Sequence, residues 1–112
     1  MLLLTTRGRH TGELRTVPLL YLSDADQRLY VIASWGGRPY HPDWYFNLLD
    51  DNRVEVQLRA ERLTALAQPL VEPGRSDWWS RAVDTYEGYR EYQARTDRVI
   101  PIVRLTPDRG PD

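Results

Sequence analysis

The sequence predicts a small antiparallel β-barrel with helices at its edges. Apolar runs of strand length recur along the chain, and residues 53–59 alternate cleanly, with Val54, Val56 and Leu58 on one face. Most neighbouring runs are joined by turns too short for a helical crossover, which dictates antiparallel pairing. Helical spacing appears in only two places, after Pro42 and after Ser76. Six strands with helices at the margins close as a barrel.

Taken in order, residues 1–6 form a short apolar strand. Leu2, Leu3 and Leu4 read as core residues with no lead-in, so an upstream segment is expected. Residues 7–12, Arg-Gly-Arg-His-Thr-Gly, form a basic turn bracketed by glycine. The second strand, 15–22, carries Val17, Leu19, Leu20 and Tyr21, and a polar turn with two aspartates follows. The third, 28–34, ends fully apolar at Val31, Ile32 and Ala33, as suits a strand buried on both faces.

A glycine-containing loop runs from Trp35 to His41. Pro42 then opens a short helix at its first position, where a missing N–H costs nothing. In that helix Trp44 with Leu48, and Tyr45 with Leu49, stand at i, i+4. Strands at 53–59 and 62–71 follow. Beyond Pro73-Gly74, Ser76 is the expected helix N-cap, with Asp77 in the first turn. Trp78, Ala82, Thr85, Tyr89 and Tyr92 recur at helical spacing, and Gly88 divides the stretch into two helices. A last strand spans 99–106. Residues 1–107 are therefore read as one domain and 108–112 as a polar tail.

Composition narrows the function. A chain of 112 residues supplies one hydrophobic core. It has no cysteine, so disulfides and thiolate-bound metals are excluded. The two histidines lie far apart with no ligand spacing, and no metal site is expected. A formal charge of −1 is not the signature of a nucleic-acid binder. All 15 basic residues are arginine, which rules out Schiff-base chemistry on lysine. No apolar run approaches the ~20 residues of a membrane span. A cytoplasmic protein is expected. Dinucleotide-fold, phosphate-loop and nucleophile-elbow motifs are all missing.

Three segments can carry chemistry. In Gly8-Arg-His-Thr-Gly12 and Arg15, glycines let a ligand approach the backbone, and forked guanidinium donors suit phosphate or carboxylate. The plain alternative is an ordinary basic turn. In Ala33-Ser-Trp-Gly-Gly37, followed by Asp43, Trp44 and Asn47, a buried strand runs into glycines and a helix start, where a flat aromatic ligand could lie. Here the alternative is a simple connection with Trp44 in the core. Tyr86, Tyr89 and Tyr92, at steps of three, present hydroxyls that can donate to a carbonyl or nitro oxygen. The alternative is packing against the barrel, and spacing alone favours it.

Together, LLLTTRGRHTGELRTVPLLYL, VIASWGGRPYHPDWYFNL and YEGYREYQARTDRVIPIVRLTP resemble the deazaflavin (F420)-dependent nitroreductase family of actinobacteria, from Leu3 to Pro107. The resemblance implies a split β-barrel like that of FMN-binding flavin reductases. It implies coenzyme F420 as cofactor and hydride transfer to a quinone, enone or nitroaromatic acceptor. Arg9, His10, Thr11, Gly12 and Arg15 would hold the anionic tail. Pro18, Leu19, Ile32, Ala33 and Ser34 would line the ring, with Trp35 beside it, and Asp43, Trp44 and Asn47 would complete the pocket. Ser34, Tyr86, Tyr89 and Tyr92 match the positions that face substrate, and their hydroxyls would act in catalysis. His10 stands where many members carry lysine, and Leu20 and Trp35 replace more polar or smaller residues. Longer members have an N-terminal segment not matched in these 112 residues. The other options are an FMN- or haem-using split-barrel enzyme and a non-catalytic carrier of F420 or flavin. A monomer is expected, with a dimer as the other option.

Overall fold

A computed structural model describes residues 1–108. Of the polar tail read from the sequence, all but Asp108 lies outside the described residues.

The described chain forms one seven-stranded sheet and three α-helices. The strands are β1 (Leu2–Arg7), β2 (Leu14–Leu19), β3 (Tyr21–Ser23), β4 (Leu29–Ile32), β5 (Arg53–Leu58), β6 (Glu61–Pro69) and β7 (Ile102–Pro107). The helices are α1 (Asp43–Asp50), α2 (Gly74–Thr85) and α3 (Gly88–Ala94). Every pairing is antiparallel, in the spatial order β2-β1-β5-β6-β7-β4-β3.

That order explains why the expected second strand is two. Its pairing with β1 ends at Leu2↔Leu19, and from Tyr21 the chain pairs with β4 instead. Leu20 alone separates β2 from β3, yet these are the two outer strands of the sheet. The sheet must therefore curl until its edges meet along a seam, which is the split of the barrel.

Alternation places the core. Leu2, Leu4 and Thr6 of β1 and Val54 and Val56 of β5 point inward, and the register Leu4↔Val56 keeps them on one face. With Val31, Val103, Leu105 and, from α1, Trp44 and Leu48, they fill the barrel. A second apolar layer outside it joins Tyr30, Ile32, Ile100 and Ile102 to Ala82, Val83 and Tyr89 of α2 and α3. β4 feeds both layers: Leu29 and Val31 face one, Tyr30 and Ile32 the other. This double burial is why the segment lacks polar alternation. Truncating such a core leucine to alanine costs roughly 2–5 kcal/mol.

Two helix starts differ from expectation. Pro42 is the cap residue before α1, with extended backbone (ψ 155°), and not its first helical residue. α2 begins at Gly74, two residues before Ser76. Ser76 does not cap it: its N–H and hydroxyl both donate to the Glu72 carboxylate, at 2.7 and 2.6 Å. Two helices are indeed separate here: Tyr86 turns extended after α2, and Gly88 opens α3, where a Cβ would lie 2.7 Å from the Tyr86 ring.

Candidate active site

The basic turn after β1 is closed locally. Gly8 donates to the Glu13 carbonyl at 2.7 Å and Gly12 to the Gly8 carbonyl at 2.8 Å, with Gly12 at φ +75°. The Thr11 hydroxyl accepts the Glu13 N–H at 3.2 Å. This geometry turns Arg9 toward α1. The Arg9 backbone N–H and guanidinium both donate to Asn47 Oδ1, at 3.2 and 3.0 Å. The guanidinium also reaches the Asp43 carboxylate at 3.6 Å and stands 5.1 Å over the Phe46 ring. Asn47 is buried and donates to Thr6 at 3.2 Å, so the bend is tied through α1 into the core.

Between the bend, β2, the loop before α1 and α1 itself lies a cleft of about 620 Å³. Arg9, His10 and Arg15 bring cationic and imidazole groups to it. Val17, Pro18, Leu19, Trp35 and Trp44 supply apolar walls, and Asp43 and Asn47 complete it. The bend and the tryptophan-bearing segment, 23 or more residues apart in sequence, thus converge on one groove. A groove of about 520 Å³ on β1, β2, β5 and β6 holds none of the candidate site residues, and its lining includes Glu55 and Arg62.

Other expected residues sit elsewhere. Thr11 and Gly12 shape the bend without lining the cleft. Ala33 and Ser34 are buried and line neither the cleft nor the cavity beside it. Ile32 lines a second, smaller cavity of about 160 Å³ with Tyr86, Tyr89, Leu20, Tyr21 and Leu22. The two hollows occupy successive stretches of the seam, 17–19 and 20–22.

The three tyrosines form one cluster. Tyr86 and Tyr92 hydroxyls are 3.4 Å apart, and the Tyr89 ring packs edge-on against both. Burial first, then the neighbouring phenols, pushes the Tyr89 hydroxyl up to about 12. The hydrogen bond with Tyr92 raises Tyr86. Tyr86 and Tyr89 line the smaller cavity, whereas Tyr92 packs behind them with its backbone against Gly37. Ser34 is not brought to this cluster's cavity.

One residue had no signal in the sequence. Arg98, just before β7, reaches back across the loop. Its guanidinium donates to the carbonyls of Ser34 (2.7 Å), Arg38 (2.8 Å) and Ala33 (3.1 Å) and to His41 Nδ1 (2.8 Å). A guanidinium has no acceptor, so Nδ1 must be the unprotonated nitrogen and Nε2 must carry the proton. Burial and the adjacent Arg98 charge lower the His41 pKa, which keeps the ring neutral. Within the same loop Trp35, Gly36 and Gly37 all have positive φ, at 42°, 66° and 78°.

Among the described residues no cluster of three or more His, Cys, Asp or Glu could hold a metal ion, and no helix is long and apolar enough to cross a membrane.

Comparison with known proteins returns one consistent kinship. A family model described as F420H(2)-dependent quinone reductase matches residues 1–107. An F420H(2)-dependent quinone reductase of Mycobacterium tuberculosis is 39% identical over 109 residues, covering 94% of this chain and 72% of its own. A solved F420-H2-dependent reductase superposes with a TM-score of 0.83 at 39% identity, over 93% of this chain and 91% of that one. A second solved structure, a domain-swapped dimer, gives 0.84 at 39% identity, over 93% of this chain and 78% of that one.

Proposed function

This chain belongs to the F420H(2)-dependent quinone reductase family, and on that premise we propose that it passes a hydride from reduced coenzyme F420 to a small organic acceptor such as a quinone. The observation that carries the proposal is the cleft itself, cationic at the bend and apolar between Trp35 and Trp44.

Its residues fit the group. F420 joins a flat deazaflavin ring to a long anionic tail. Arg9, His10 and Arg15 would hold the tail by charge-assisted hydrogen bonds. Thr11 and Gly12 would keep the bend in shape. Pro18, Leu19, Trp35 and Trp44 would bound the ring, with the buried Ala33 and Ser34 leading into Trp35 and Ile32 facing the neighbouring cavity. Asp43 and Asn47 would hold Arg9 in place, as their contacts with it support.

When bound, the reduced deazaflavin supplies the hydride. The chain's own contribution is to bind, orient and exclude water, which is worth several kcal/mol of barrier. Tyr89 keeps its proton far above neutral pH, so it stays a donor, and with Tyr86 it would hydrogen-bond the acceptor oxygen as charge develops there, Tyr92 acting through its hydroxyl contact with Tyr86. Ser34 is the other hydroxyl proposed for that role. The proposal places the protein in the cytoplasm, which cell fractionation would check.

Fluorescence titration with F420 and FMN, followed by turnover of quinones, enones and nitroaromatics, tests the proposal. Tighter binding of F420 and reduction of at least one quinone is expected. Equal or better FMN binding would overturn the cofactor assignment, and tight F420 binding without turnover would leave a carrier.

A further inference from the structure

We propose that Arg98 is a positioning residue for this reaction, clamping the loop at 33–41 so that Trp35 and the Phe46–Arg9 contact keep the cofactor cleft in shape. The inference rests on the F420 reading of that cleft.

Arg98 lines neither the cleft nor the tyrosine cavity, so it acts through what it holds. Its partners are three carbonyl oxygens and one imidazole nitrogen, and no described ion pair includes it. Four acceptors converge on one planar fork. A guanidinium satisfies that pattern and a lysine ammonium, a single rotatable point charge, does not. Desolvation accompanies this: burial lowers the Arg98 pKa.

The clamped segment needs a clamp. Trp35 sits in the left-handed region, sparsely populated for any residue but glycine, and such a conformation persists only where its surroundings over-determine it. Arg98 grips the two carbonyls before Trp35 and one beyond the glycines. α3 supplies the other jaw. The Tyr92 carbonyl lies 2.5 Å from where a Gly37 Cβ would stand, and Arg95 donates to the Gly36 carbonyl at 3.4 Å.

From the loop the contact passes on to the bend. The His41 ring, bonded to Arg98, lies 5.6 Å from the Phe46 ring, and the other side of this contact chain is Arg9 over Phe46. The Arg98 carbonyl in turn accepts from Gln93 of α3 at 2.7 Å, so Arg98 links the helix that carries Tyr89 and Tyr92 to the loop and, through His41 and Phe46, toward the bend.

The test compares native protein with Arg98→Lys and Arg98→Ala, each first checked for folding by near-UV circular dichroism. F420 affinity is read by fluorescence and turnover by steady-state kinetics. Both variants should weaken F420 binding roughly 10- to 100-fold, as expected for lost hydrogen bonds to a charged group, and lower kcat on the bound cofactor. Unaltered binding and kcat in a folded variant, or full rescue by lysine, overturns the inference. A native chain that does not bind F420 overturns the parent reading instead, and this inference with it. If neither variant folds, ¹⁵N NMR of the native protein decides: His41 protonated on Nε2 sustains the clamp, and protonation on Nδ1 overturns it.

Discussion

The bend at 8–12 and the loop at 33–41 both border the cleft, and both hold glycine at positive φ, but they are kept in shape differently. The backbone of the bend is closed on itself by hydrogen bonds between residues no more than five apart, and its long-range tie runs from Arg9 to Asn47. The loop has turn bonds of its own, from Gly37 to Ser34 and from Arg38 to Trp35, but is in addition gripped by Arg98 and α3, from residues more than fifty positions away. Gly12 has nothing within 4 Å of an added Cβ, whereas Gly37 has the Tyr92 backbone there. In the bend, then, glycine answers to the chain's own turn. In the loop it answers to a second element that must dock.

The sharpest way to break this contrast is Gly37→Ala. Steric overlap with Tyr92 adds to left-handed strain, so a loss of roughly 2–5 kcal/mol is expected from overpacking and strain together, read by denaturant unfolding. Next comes Arg9→Ala, which should leave the barrel folded but weaken F420 by on the order of 1–3 kcal/mol in a fluorescence titration. Arg15→Ala should cost less than that, because Arg15 is exposed and already paired with Glu13 at 3.2 Å. Gly12→Ala follows, with only the left-handed penalty of about 1–2 kcal/mol. A loss there equal to that of Gly37→Ala would erase the distinction.

The smallest effect is on pH. The folded His41 pKa lies below its ordinary value, so the loop's stabilisation is complete above the ordinary histidine range. It is lost as pH falls from that range through the lower folded value. Melting temperatures measured from pH 7.5 to 5 should show a modest decline that His41→Gln flattens. Finally, Tyr86, Tyr89 and Tyr92 changed singly to phenylalanine should lower turnover more than F420 affinity; full activity in all three would assign the cluster to packing alone.

The same contrast explains what was legible in the sequence. β5 announces itself by alternation, β4 by unbroken apolarity, and the bend by glycine spacing, because each depends on neighbours along the chain. The break at Leu20 is invisible there, since it arises where β1 runs out as a partner and β4 takes over. Arg98 sits in a stretch with no pattern, and its meaning appears only when residues 33–41 fold back onto it. In the sequence Gly37 reads as a place for a ligand to approach, while the structure gives that space to the Tyr92 backbone. Pro18, Leu19, Trp35 and Trp44 line one cleft with Arg9, while Ile32 lines the neighbouring cavity, and no local pattern in the sequence separates it from them.

The one-residue connection at Leu20 also bears on how copies of this chain meet. Both rims of the sheet are poor templates for an intruding strand. β3 offers only three residues, and β2 contains Pro18, which has no amide hydrogen to give. Zipping together rim to rim, the first step toward fibrils, is thereby discouraged at the very place where an incompletely closed barrel would be most vulnerable.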